Sequence, residues 1–331
     1  MRKIMSRPHV FVTQPVASSA LDRMRRVATV NVNPDASRVY PKSALIAAVR
    51  KCDILFCLLH DRIDRAVIAA NPKLRAIAAQ SISPSNIDVE AATARRIPVT
   101  VVPPITTEAT ADLTFGLMLA VARRMGEADR LVRAGKFPGA QSSYLIGSFV
   151  HGRTVGLIGG GGLVGKAVAR RARGFDMRVL YWTPRRKLKR EERAAGLSYV
   201  PLDQLLAESD FVSLHSPLNA ETHHQIGARE LGLMKKTAFL INTARGAIVD
   251  EAALIRALAR KEIAGAGLDV FEHEPDVEPA LRTMLNVVLT PHLGSGVTEV
   301  REQMANIVVD NILALIEGRR PPNCVNPKVL S

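Results

Sequence analysis

Apolar positions along the first hundred residues fall into two alternating patterns. Short continuous runs at His9 to Val12, Ile54 to Leu59, Leu74 to Ala78 and Val99 to Val102 read as strands with both faces covered. Between them, apolar residues recur at helical spacing from Ala17 to Val27, from Ser43 to Arg50, around Ala66-Val67-Ile68, and from Val89 to Arg95. Strands alternating with helices in this way predict parallel sheets with helices on both faces.

Thr106 to Met125 reads as one long helix, capped by Thr106 or Thr107 and carrying Glu108 in its first turn. Leu113, Phe115, Leu117, Met118, Leu119 and Val121 leave it no polar face, so burial between domains or between subunits is expected. A homodimer follows as an expectation, because large exposed apolar surfaces are uncommon on monomers. Gly135 to Gly152 is loop-like. A second α/β series runs from Thr154-Val155-Gly156-Leu157-Ile158 to about Leu289, and Val297 to Glu317 reads as a closing helix.

Composition narrows the class. The 331 residues allow roughly two domains, and 47% hydrophobic with 23% charged residues suits a globular chain. No apolar stretch approaches the roughly 18 residues of a membrane span. The charged start, Met1 to Arg7, leads into no apolar signal core. Cys52, Cys57 and Cys324 are odd in number and lack metal-ligand spacing, so free thiols in a reducing cytoplasm and no metal are expected. The net charge of +14 raises the question of nucleic acid. Basic residues are dispersed apart from one run, Arg185-Arg186-Lys187-Leu188-Lys189-Arg190, and no aromatics interleave with it. A phosphate-bearing small molecule accounts for that run more economically.

Four segments carry chemistry. Gly159-Gly160-Gly161-Gly162-Leu163-Val164-Gly165 joins a strand to a helix, the context in which glycines let a pyrophosphate rest on helix N-terminal amides. Two registers fit: Gly160, Gly162 and Gly165, or Gly159, Gly161 and Gly165. The next strand ends in Thr183-Pro184-Arg185-Arg186 where an NAD-binding fold places an acid. A hydroxyl and guanidinium groups there suit a 2′-phosphate. Three later strands end in Asn242-Thr243-Ala244-Arg245, in Asp269 to Pro275, and in Thr290-Pro291-His292-Leu293-Gly294-Ser295. Arg245, Glu274 and His292 at three strand ends suit reduction of a 2-oxo acid, with Arg holding its carboxylate, His giving a proton and Glu holding the imidazolium.

These segments, in this order along essentially the whole chain, resemble the D-isomer-specific 2-hydroxyacid dehydrogenases. The resemblance implies a Rossmann domain (105–296) inserted in a flavodoxin-like substrate domain made of both chain ends (1–104 and 297–331), with the site in the cleft. It makes Arg245 the carboxylate-binding arginine, Glu274 the orienting acid and His292 the acid/base. It implies cofactor contacts at Leu163, Val164, Thr183, Ser216, Thr243, Ala244, Arg245, Asp269, His292, Gly294 and Ser295, besides the glycines and Arg185 and Arg186. Glu272 and the remaining histidines, among them His215, His223 and His224, are expected to be surface or supporting residues.

The chain departs from the family at its substrate loop, Ser81-Ile82-Ser83-Pro84-Ser85-Asn86-Ile87-Asp88, which contains no glycine. The N–H groups of Ile82 and Ser83 can still hold a carboxylate, while Pro84 has none. The expected activity is hydride transfer between NADP(H), preferred over NAD(H), and a small 2-oxo acid such as glyoxylate or hydroxypyruvate. The alternative is a corepressor-like protein that binds the dinucleotide without significant turnover.

Overall fold

A computed structural model describes residues 7–330, so the charged start at 1–6 lies outside the described residues. The chain divides into two compact units, one of residues up to Ile105 together with those from Val297 onward, the other Thr106–Gly296.

The first unit holds β1 (His9–Val12), β2 (Thr29–Val32), β3 (Ile54–Leu58), β4 (Ala76–Gln80) and β5 (Val99–Thr100). All pairings are parallel, in the order β2-β1-β3-β4-β5, which is the flavodoxin-like order. Side chains alternate along each strand. Phe11, Leu55, Cys57 and Ile77 face a core shared with Leu45, Val49 and Val67. Val10, Val12, Ile54 and Phe56 face the opposite core, which Val308, Val309 and Ile312 of the helix Thr298–Ile316 complete. That helix is tied down by Arg23, which bonds Asp310 at 2.5 Å and the Asn306 side chain at 2.8 Å. Beyond it, buried Asn326 accepts the N–H of Val99 and donates to the carbonyl of Ile97, stitching the chain end to β5.

The second unit holds β6 (Thr154–Ile158), β7 (Arg178–Trp182), β8 (Ser198–Tyr199), β9 (Phe211–Leu214), β10 (Phe239–Asn242), β11 (Gly265–Leu268) and β12 (Val287–Leu289). They form one parallel sheet, β12-β11-β10-β9-β6-β7-β8. Strand order reverses between β6 and β9, the switch point where ligands of such sheets bind at the carboxyl ends.

The long apolar helix differs from expectation. It spans Thr107–Ala122, and Arg124, at φ 53°, separates it from a second helix, Met125–Arg133. Its apolar residues are covered within the unit: Ala111, Phe115 and Met118 pack with Val155, Leu157, Ala167 and Val168. It also has a polar stripe. Thr114 Oγ1 lies 2.9 Å from Thr243 Oγ1, and Thr110 Oγ1 donates to the Gly294 carbonyl at 3.0 Å. Exposed apolar side chains gather after it instead, at Met125, Val132, Phe137, Ile146 and Phe149. Among the described residues no helix is long and apolar enough to cross a membrane.

Candidate active site

The glycine turn leaves β6 at the switch point. Gly159 has φ 79°, and a Cβ there would lie 2.7 Å from the backbone of His215 and Ser216 after β9. A Cβ on Gly165 would lie 2.5 Å from Gly160 Cα. Glycine is therefore obligatory where the turn meets the next strand and where the helix Leu163–Arg173 meets the turn. Gly162 is that helix's N-cap and meets little, so the packing demand falls on Gly159, Gly160 and Gly165. This cradle, with exposed Leu163 and half-buried Val164 opening the helix, fits a dinucleotide pyrophosphate: a helix N-terminus beside a turn of glycines that carry no side chains of their own.

At the end of β7, Thr183 is half-buried and Arg185 exposed. Arg186 is engaged elsewhere: Nε and Nη2 donate to Glu192 at 2.7 and 2.9 Å, and its guanidinium sits 5.1 Å from the Tyr199 ring centre. Lys187, the next member of the basic run, lies across Gly161, where a Cβ would come within 2.8 Å of its Cε. His215 is pushed down to about 4 by burial and bonds Ser213 Oγ at 3.0 Å, so it is a neutral support beneath the turn.

The three adjacent strands β10, β11 and β12 deliver the remaining groups. After β10, Asn242 shapes the turn by accepting the Ala244 N–H and donating to the Arg245 carbonyl. Arg245 is brought beside Glu274: burial lowers its pKa and the charge of Glu274 opposes that. After β11, Asp269 is fully buried. Its Oδ1 accepts Thr290 Oγ1 at 2.6 Å and Leu293 N–H at 2.7 Å, and its Oδ2 accepts Gly294 N–H at 2.9 Å. Burial raises its pKa in spite of these donors. The carboxylate thus anchors the segment that follows β12. His292 sits within that segment at φ 53°, held by its N–H to the Asp269 carbonyl at 2.8 Å. Its Nδ1 lies 2.8 Å from Glu274 Oε2, while Glu274 Oε1 accepts the Phe271 N–H at 3.0 Å.

Arg245, Glu274 and His292 therefore converge at one sheet edge, with Thr243 and Gly294 linked to it through Thr114 and Thr110. Ser295 follows in the anchored turn. Ile82 and Ser83 belong to the first unit, after β4. Ser81 Oγ donates to the Ser83 carbonyl at 2.7 Å and shapes that turn, and among the described residues no group accepts the N–H of Ile82 or Ser83.

A family model for the D-isomer specific 2-hydroxyacid dehydrogenase NAD binding domain matches residues 115–294. A glyoxylate reductase of Thermococcus litoralis is 44% identical over 329 residues, covering 98% of each chain. A solved structure of a Thermus thermophilus protein superposes with a TM-score of 0.88 at 43% identity, covering 96% of this chain and 99% of the other. A Sinorhizobium meliloti NADPH-dependent glyoxylate/hydroxypyruvate reductase, solved with NADP and malonate, gives a TM-score of 0.79 at 33% identity over 97% of each chain.

The anchoring role of Asp269 is testable without any substrate. Asp269→Asn replaces one acceptor oxygen by an N–H₂ group facing backbone donors, and should cost about 2–4 kcal/mol, since hydrogen bonds to charged groups contribute about 1.5–3 kcal/mol each. Chemical denaturation measures this. A loss below about 0.5 kcal/mol would show that the turn is held by something else.

Proposed function

The chain belongs to the D-isomer-specific 2-hydroxyacid dehydrogenases and is an NAD(P)-dependent oxidoreductase, and on that footing we propose that it reduces a small 2-oxo acid of the glyoxylate or hydroxypyruvate kind, preferring NADPH. The observation that carries this reading is the 2.8 Å contact of Glu274 with His292, one strand end away from Arg245. The Thermococcus litoralis and Sinorhizobium meliloti relatives are reductases, which leaves the corepressor-like alternative unfavoured.

When bound, the reduced dinucleotide supplies a hydride to the carbonyl carbon. Arg245 holds the substrate carboxylate through its paired N–H groups; the Ile82 and Ser83 N–H groups, proposed as substrate-binding, belong to the first unit. His292 delivers its Nε2 proton to the carbonyl oxygen as that oxygen gains charge. Glu274, accepting from Nδ1–H, fixes the tautomer and balances the imidazolium charge. His292→Ala should lower turnover about 10²–10⁴-fold, and Arg245→Ala should raise KM as well as lower turnover. Steady-state assays with glyoxylate and hydroxypyruvate measure both. Near wild-type turnover for His292→Ala would remove the histidine from this role.

The cofactor preference rests on the corner after β7. The strand ends in Thr183 rather than in an acid that would accept the ribose hydroxyls and repel a phosphate, and the nearby Glu192 is bonded to Arg186 and to the Tyr181 hydroxyl. Because Arg186 is committed to Glu192, the proposed phosphate contact falls on exposed Arg185, with Thr183 beside it and Lys187 over the turn. The relative solved with NADP fits the same preference. A charged hydrogen bond of about 1.5–3 kcal/mol corresponds to roughly tenfold to a hundredfold. NADPH should therefore exceed NADH by at least tenfold in kcat/KM, and Arg185→Ala should raise KM for NADPH alone. Equal use of NADH by the unaltered enzyme contradicts the preference.

Assembly as a homodimer, in a reducing cytoplasm, completes the proposal. Its support lies in the segment after the long helix, where Phe137 and Ile146 are each 65% exposed and Phe149 73%; the long helix itself is already covered. Light scattering should report about twice 35.9 kDa. Joint replacement of Phe137, Ile146 and Phe149 by serine should halve it. A monomeric parent protein would end the dimer proposal.

A further inference from the structure

A second group of ligating side chains lies in the Rossmann unit beside the loop that carries Glu274. His223 and His224, between β9 and β10, and Glu272, after β11, each present one ligand atom, all within 4.8 Å of one another. His224 Nε2 lies 2.6 Å from Glu272 Oε1. The two imidazoles overlap, with ring centres 4.0 Å apart and planes 30° from parallel.

The backbone fixes this arrangement. His223 N–H donates to Asn219 and His224 N–H to Ala247, across to the turn after β10. His224 has φ 51°, a conformation that non-glycine residues seldom adopt. Such strain persists only where surrounding contacts impose it, and it clusters at functional sites.

Glu272 is also preset. Its side chain is 15% exposed, its Oε2 accepts the Glu251 N–H at 3.2 Å, and Glu251 Oε2 accepts the Glu272 N–H at 3.1 Å. This reciprocal clamp occupies one carboxylate oxygen and leaves the other turned to the imidazoles. Burial works against its charge, but the bonds from His224 and from the Glu251 N–H outweigh burial, and the carboxyl stays below its ordinary range.

We propose that His223, His224 and Glu272 form a binding site for one divalent transition-metal ion of the zinc class. Two imidazoles and a carboxylate suit zinc, nickel, copper or cobalt, whereas magnesium and calcium call for an all-oxygen set. Three protein ligands leave one position for water, the pattern of open rather than closed zinc sites. Bonds of about 2.0–2.2 Å require donor atoms about 3.3 Å apart. Rotation of the exposed His223 ring supplies the approach, and the ion takes the place of the direct His224–Glu272 hydrogen bond. Occupancy ties the 223–224 turn to the loop two residues before Glu274. The His224–Glu272 hydrogen bond does not involve His223, whose ring only overlaps that of His224, so ion uptake that depends on His223 separates a metal site from a purely structural pair.

The test titrates zinc chloride into the full chain by calorimetry, with cobalt chloride as an absorbing probe. The expected result is one ion per chain, visible d–d absorption with cobalt, and a raised melting temperature in zinc. His223→Ala, with His223→Gln as the milder variant, should fold like the parent and weaken uptake at least about tenfold. His224→Ala should do the same. His292→Ala should leave uptake unchanged, which separates this site from zinc caught at the catalytic pair. No uptake at about 100 µM zinc, a weak regime for a three-ligand site, would overturn the proposal. So would equal affinity in the parent and both His223 variants, or uptake lost in His292→Ala.

Discussion

A buried carboxylate must be surrounded by donors, because an ion without partners in a low-dielectric interior loses its charge or unfolds its surroundings. Asp269 meets that demand with groups drawn from a single stretch of chain, Thr290, Leu293 and Gly294. Satisfying the charge therefore fixes the path of the segment that contains His292. The same strand, β11, then supplies Glu274 a few residues later, so one strand end both anchors the histidine's turn and provides the acid that orients its ring. The position of Arg245 follows from β10 being the next strand in the sheet. The geometry of this candidate site is thus a consequence of parallel strand order together with one desolvated charge.

The ends of those strands were legible in the sequence because each motif sits directly after an apolar run, and parallel sheets collect such ends at one edge. The glycine turn was legible for the same reason, although the positions that packing constrains, Gly159, Gly160 and Gly165, match neither register of the motif in full. Other features were hidden. β2, Thr-Val-Asn-Val at the sheet edge, is half-exposed and too short for a clear period. Thr110 and Thr114 looked like ordinary residues in an apolar helix, and their role appears only when Gly294 and Thr243 arrive from far along the chain. Glu272 read as a surface acid because nothing local announces its reciprocal bonds with Glu251.

Arg186 shows why charge runs resist interpretation from sequence. Its neighbours in sequence and its chemistry suited a phosphate, yet a helix that begins three residues later brings Glu192 back to it. A guanidinium held by two hydrogen bonds and laid over an aromatic ring is already well satisfied. Arg186 is thereby a structural member of the basic run, whereas Arg185 beside it is exposed.

The account stands or falls on the Glu274–His292 pair acting as a proton-delivering unit. Its most direct measurement is the turnover of Glu274→Gln, which keeps the side-chain shape and removes the charge. With glyoxylate and NADPH at saturation, kcat should fall by about 10²-fold, of the order expected for impaired general-acid catalysis, while dinucleotide affinity measured separately stays unchanged. A variant that turns over at the parental rate would contradict the assignment and place the proton donor elsewhere.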